Sequence, residues 1–173
     1  MVHSSATLHL LCGKIAAGKS TLAAELAAAE NTILISEDHW LGRLFPAEIN
    51  TVPDYIRCSA RLRAAMEPHI VGLLRLGTSI VLDFPANTIA TRNWMRTLFE
   101  QAPAAHQLHF LDLPDEVCKA RLHDRNQAGT HDFAASDTDF ELITSHFVPP
   151  QANEGFNIVR HPAASTDAEP EFP

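Results

Sequence analysis

Apolar residues in this chain cluster into short runs, separated by longer stretches of helical periodicity. Residues 6–12 (ATLHLLC), 31–36 (NTILIS), 78–83 (TSIVLD), 107–113 and 156–159 read as five strands. Runs that are nearly continuous in Leu, Ile and Val are expected where a strand is covered on both faces. Helical patterns fill the intervals at 19–30, 53–76, 87–101, 114–126 and 137–147. Pro68 lies inside the second of these and either kinks it or divides it in two. Gly77 follows as a C-cap would. Pro114 and two acids open the fourth helix. A polar stretch containing Gly129, without periodicity, runs to Ser136.

Strands alternating with helices predict an α/β fold, with a parallel sheet and helices on both faces. Sites in such sheets form at the carboxyl ends of the strands. There is no internal repeat. A length of 173 residues fits one domain. We expect it to span 1–161, with 162–173, rich in Pro, Ala and acids, as a disordered tail.

Composition narrows the classes little. The chain is 46% hydrophobic and 20% charged, with a net charge of −8, and such an acidic balance disfavours wrapping a polyanion. Cys12, Cys58 and Cys118 form neither a CxxC pair nor a His/Cys ligand cluster, which fits reduced, packed thiols better than a disulfide framework. The ten histidines are scattered and carry no metal-site expectation. No signal peptide is visible, and no apolar stretch approaches the roughly 20 residues that span a bilayer. The expected location is cytoplasmic, with no membrane partner.

One segment carries specific chemistry. Gly13-Lys14-Ile15-Ala16-Ala17-Gly18-Lys19-Ser20 satisfies GxxxxGK[ST], and Thr21 extends it. Glycines at both ends permit a tight turn that aims successive N–H groups at phosphate oxygens. Lys19 reaches the β- and γ-phosphates, and Ser20 offers a hydroxyl to Mg²⁺. The following helix adds its positive end. Chance would produce such an octet in roughly one chain of this length in two hundred. Its position between a predicted strand and a predicted helix is what the mechanism needs. The expected cofactors are ATP and Mg²⁺.

Acids stand at two other strand ends. Asp83 closes the third strand, where a carboxylate would hold Mg²⁺ directly or through water; alternatively it is a turn aspartate before Pro85. Ser36-Glu37-Asp38 follows the second strand. Asp38 could take the proton of an attacking hydroxyl, or could cap the next helix. Strand geometry would point Glu37 the other way. Arg121 and Arg125, four apart on one helical face, could bring guanidinium groups over a triphosphate from a lid, or form an exposed basic face. The helical stretch 40–70 could line an acceptor pocket with Trp40, Phe45, Tyr55 and Arg57, although aromatics there are more often core.

In this order, the loop at 13–21, Ser36-Glu37-Asp38, Asp83-Phe84-Pro85-Ala86-Asn87 with Arg92, and Arg121-Leu122-His123-Asp124-Arg125-Asn126 resemble the small bacterial P-loop kinases. These are catalogued as AAA-type ATP-binding proteins, related to zeta toxin, chloramphenicol phosphotransferase and polynucleotide kinase. Phe147-Val148-Pro149-Pro150 and Glu154-Gly155-Phe156 extend the resemblance to about Arg160. It implies a three-layer P-loop NTPase with a five-stranded parallel sheet of nucleoside-kinase type and a small lid. It also implies Asp38 as the base, Asp83 as the acid of the third strand, and Arg121 and Arg125 as lid arginines. Asn87 and Arg92 match its D-x-x-x-N…R pattern near the acceptor or γ-phosphate; Asn87 could equally cap a helix, and Arg92 could be an ordinary exposed helix residue. The chain is too short for the motor apparatus of AAA machines. Its DFPAN segment departs from the DNTN-like form of polynucleotide kinases, which disfavours a nucleic-acid acceptor.

The leading expectation is therefore an ATP-dependent kinase acting on a hydroxyl of a small molecule. The alternatives are a polynucleotide or nucleotide-sugar kinase, and an ATP-dependent binding or switch protein without an acceptor.

Overall fold

The computed structural model describes residues 6–129 and 135–162. The tail beyond 162 and part of the polar stretch before Ser136 lie outside them. Five strands, β1 (Thr7–Cys12), β2 (Thr32–Ser36), β3 (Ser79–Pro85), β4 (Ala105–Asp112) and β5 (Ile158–Pro162), form one sheet of order β2-β3-β1-β4-β5. Every neighbouring pair is parallel.

Helices α1 (Lys19–Ala27), α2 (Glu37–Leu44), α3 (Val52–Arg75), α4 (Ile89–Glu100), α5 (Asp115–Ala128) and α6 (Asp137–Thr144) make the outer layers. Alternation along the strands explains how. Leu8, Leu10 and Cys12 of β1, with Ile80, Leu82 and Phe84 of β3, pack against Cys58, Leu62 and Ile70 of α3 and Met95 and Leu98 of α4. The intervening side chains face the other way: Leu11 and Val81 meet Ala23 of α1, and Leu111 meets Cys118 and Leu122 of α5 and Phe140 of α6. All three cysteines are free and buried. No helix among the described residues is long and apolar enough to cross a membrane.

The expected elements differ in detail. Pro68 does not divide its helix, because α3 runs through it for 24 residues. The missing N–H removes one bond, and burial of Cys58, Leu62, Ile70, Val71 and Leu74 along one stripe outweighs that loss. The stretch 40–70 is instead broken near Pro46. Phe45 leaves helical geometry with φ −129° and ψ 50°, as a residue before proline tends to, and α3 restarts on a capping box between Thr51 and Asp54. The last strand begins two residues later than expected, at Ile158, after a short helical turn at Ala152–Glu154.

Candidate phosphate-binding site

β1 ends at Cys12, and the chain turns at once through the glycine-containing loop into α1. A side chain at position 13 would lie 3.2 Å from Ala17 Cβ, Leu111 Cβ and Leu111 O, so only glycine fits there without displacing backbone. Gly18, with φ +100°, occupies a left-handed conformation as the residue before α1. Lys19 Nζ donates to Gly13 O (2.7 Å) and Lys14 O (2.8 Å), which holds its ammonium inside the turn. Burial pushes that ammonium's pKa down, and Asp83 is the strongest charge opposing the shift. Lys14 pairs with Asp115 and donates to Leu113 O (3.3 Å), tying the loop to the start of α5.

Asp83 lies on β3 opposite Ser36 of β2. Burial raises its carboxyl, against the neighbouring Ser20 hydroxyl and the charge of Lys19. Asp83 thus sits on the strand rather than in a turn, two residues before β3 ends. Ser20 and Asp83 are both hard oxygen donors, the donor type Mg²⁺ prefers. Among the described residues no three His, Cys, Asp or Glu side chains could hold a metal ion by themselves. That donor set fits Mg²⁺, which usually takes one or two protein oxygens together with phosphates and water.

Asp38 is exposed in the first turn of α2. It is not the helix cap, a place taken by Ser36. It lies two residues beyond Ser36, the register partner of Asp83. The ends of β2 and β3 thus place Asp38 and Asp83 on the same edge of the sheet as the loop, and the charge of Asp38 is felt at Lys19 and Asp83. Glu37 turns inward, 3% exposed. It accepts from Tyr55 Oη (2.6 Å) and from Ser59 Oγ. Burial raises its carboxyl, against those hydrogen bonds. Glu37 therefore pins α2 to α3 and leaves Asp38 facing outward. Tyr55 is committed to that contact, and Arg57 pairs with Asp54 at 2.7 Å on the exposed side of α3. Trp40 stays 38% exposed, whereas Phe45 packs on the core.

The two expected lid arginines separate. Arg121 reaches the loop, with Nη1 donating to Ala17 O (3.3 Å). It lines an open cleft of about 290 Å³ with Ala17, Gly18, Thr21, Glu25 and His161. Arg125 is partly buried one turn on, and its Nε makes no hydrogen bond to the described residues.

Asn87 and Arg92 correct the expectation most. Asn87 accepts from Gly13 N (3.0 Å) and donates to Gly13 O (2.9 Å), so it clamps the first loop residue from β3's end. The cap of α4 is Thr88. Arg92 is fully buried, neither exposed nor open to a ligand. Its Nε and Nη2 donate to Glu154 (2.6 and 2.9 Å), and its Nη1 donates to Ala86 O and Val148 O (both 2.9 Å). Val148 N in turn donates to Asn87 O (2.9 Å). Sequence reading found these two residues but not their contacts, which depend on partners 74 residues away for Asn87 and 62 for Arg92.

Comparison with known proteins places this geometry. The profile of the AAA domain family matches residues 8–150. No curated protein matches the chain. Among solved structures, a candidate kinase from Chloroflexus aurantiacus superposes with a TM-score of 0.71 at 21% identity, covering 91% of this chain and 85% of that one. Kti12 from Chaetomium thermophilum, bound to ADP-AlF3, gives 0.68 at 15%, covering 94% and 91%. The Mycobacterium tuberculosis APS kinase CysC, bound to AMPPNP and APS, gives 0.59 at 17%, covering 92% and 89%. These likenesses show a shared P-loop kinase-like fold. With its phosphate loop, sheet order and most of its length accounted for in this way, the chain belongs to the AAA domain family.

Proposed function

We propose that this protein binds ATP with Mg²⁺ and transfers the γ-phosphate to a hydroxyl of a small-molecule acceptor. The observation that carries the reading is the exposed Asp38 at the end of β2, two residues beyond the register partner of Asp83, where a hydroxyl-activating base would be needed. An ATP-hydrolysing switch needs no such group. The loop backbone from Gly13, Lys14, Ile15, Ala16 and Ala17 to Gly18 would cradle the phosphates, with Lys19, Ser20 and Thr21 at the start of α1. Lys19 would leave its two carbonyl partners for the β- and γ-oxygens. Arg121, at the rim of the loop, would add positive charge as the transferring group moves, and Arg125 would stand behind it on α5. Mg²⁺, held by Ser20 and Asp83, would neutralise charge on the phosphate oxygens. Asp38 would accept the acceptor's proton as its oxygen attacks phosphorus.

A coupled ADP-release screen of sugars, nucleosides, amino alcohols and aminoglycoside-type antibiotics tests the proposal. One class should accelerate ADP release above the acceptor-free background, and uniform background rates would refute it. With an acceptor identified, Asp38→Asn should lower transfer by roughly 10²–10⁴-fold while ATP affinity stays within a few-fold. Undiminished transfer would remove Asp38 from the role of base. Incubation with labelled ATP and 5′-hydroxyl oligonucleotides addresses the nucleic-acid alternative, which the net charge of −8 disfavours.

A further inference from the structure

Three histidines outside this chemistry form a continuous hydrogen-bonded chain across the sheet. His9 lies on β1, His109 on β4 and His161 on β5. His9 Nδ1 is 3.1 Å from His109 Nε2, and His109 Nδ1 is 3.0 Å from His161 Nε2. Ring centroids are 5.3 Å apart at both steps. The middle ring is 4% exposed and has both nitrogens engaged.

Proton counting constrains such a ladder. A neutral imidazole carries one N–H, so a neutral His109 donates to one neighbour and accepts from the other. A charged His109 donates to both, which the two facing nitrogens can accept. A second proton would set N–H against N–H. The ladder therefore accommodates one added proton and resists two. Burial and the neighbouring rings hold the His109 pKa down at about 4, and burial lowers that of His9.

One end of the ladder reaches the phosphate loop. His161 lines the same cleft as Ala17, Gly18, Thr21 and Arg121. The charged groups facing that end are Glu25 of α1 and Arg121 of α5. Arg160 and Asp112 pair beside it at 3.3 Å on β5 and β4. Over the rest of this sheet face α1 presents apolar Leu22, Ala23 and Leu26. A polyphosphate in the loop would add several negative charges near His161. Negative charge close to an imidazole favours its protonated form, and proton and anion then assist each other reciprocally.

We propose that His9, His109 and His161 constitute a proton-binding site coupled to the nucleotide site, so that nucleotide binding raises the ladder's proton occupancy, by up to one proton drawn from solvent. The inference rests on the nucleotide-binding reading of the loop. No bond other than N–H forms, and the proton comes from the buffer.

Calorimetric titration with ADP near pH 6.5, in two buffers of different ionisation enthalpy, reads the proton directly. His161→Asn, at the cleft edge, and His109→Gln serve as references that subtract the nucleotide's own phosphate titration. Wild type should take up a larger fraction of a proton than either variant. Its Kd should also tighten more steeply as pH falls from 8 to 6, by at most tenfold per pH unit for one proton. Ring ¹⁵N spectra of the wild-type protein supply a readout that needs no variant, and the ladder resonances should move toward imidazolium on ADP saturation. ADP binding with equal proton uptake in wild type and variants, and unmoved ring spectra, would overturn the ladder alone. Failure of ADP to bind would overturn the loop reading and the ladder with it.

Discussion

Replacing Lys19 by alanine is expected to lower phosphoryl transfer by roughly 10²–10³-fold, the scale set by loss of one preorganised charge-stabilising donor. Lys19 is the partly buried cation of the loop, and its partners are the carbonyls of Gly13 and Lys14. A phosphate oxygen would substitute for those carbonyls, so the ammonium is already oriented toward the loop. Most of its contribution should appear in kcat, because charge grows on the transferred group during the reaction. Lys19→Arg should recover little, since the pocket is built for a compact head group. Steady-state kinetics with the identified acceptor, alongside a thermal melt, checks the prediction. A variant that folds normally and turns over within threefold of wild type would refute the assignment.

The largest effect on stability is expected at Arg92. Arg92→Ala leaves Glu154 without its ion-pair partner, and the carbonyls of Ala86 and Val148 without their donor. Breaking a buried pair from one side costs about 3–5 kcal/mol. For a domain of this size that corresponds to a drop in Tm of roughly 6–20 °C. Because the same network carries Asn87, which clamps Gly13, nucleotide affinity should fall as well. The double variant Arg92→Met with Glu154→Leu should regain the part of the loss that comes from leaving Glu154 unpaired, while the carbonyls of Ala86 and Val148 still lack their donor. If Arg92→Ala melts within 2 °C of wild type, the ion pair contributes little and this account of the network is wrong.

Acid sensitivity carries the same signature. Burial alone would raise the Glu154 carboxyl, but hydrogen bonds from Arg92 and from the Gln151 backbone hold it below its ordinary value. A carboxyl depressed in the folded state stabilises the fold above its unfolded pKa and loses that contribution as pH falls through the folded one. Wild type should therefore lose stability below about pH 4.5 more steeply than the double variant. Chemical denaturation across pH 3–6 measures the difference, and parallel curves would contradict it.

How much of this was legible in sequence follows from the range of the interactions. The phosphate loop is local: Gly13, Gly18, Lys19 and Ser20 lie within one turn of the chain, so their spacing alone announces them. The strands and the α/β class were readable for a related reason, because apolar runs report burial on two faces. The ends of α2 and the continuity of α3 were less so, since Pro46 and Pro68 have different consequences only after packing is known. Position on the chain identified Asp38 and Asp83, and their shared electrostatics with Lys19 required the β2–β3 register. Arg92 illustrates the limit. An arginine on a helix with no nearby acid looks exposed, and only the return of the chain at Glu154 buries it.

The histidines make the same point from the other side. His9, His109 and His161 are separated by 100 and 52 residues, and nothing local links them. The sheet order places β1, β4 and β5 side by side and turns three unremarkable residues into one hydrogen-bonded ladder. The sequence by itself determined the α/β class and the phosphate loop, because both rest on contacts within a few residues. Only the tertiary structure decided what surrounds the loop: the clamp at Asn87, the buried Arg92–Glu154 pair and the ladder beside the cleft. Each of these depends on a long-range pairing that backbone periodicity cannot encode.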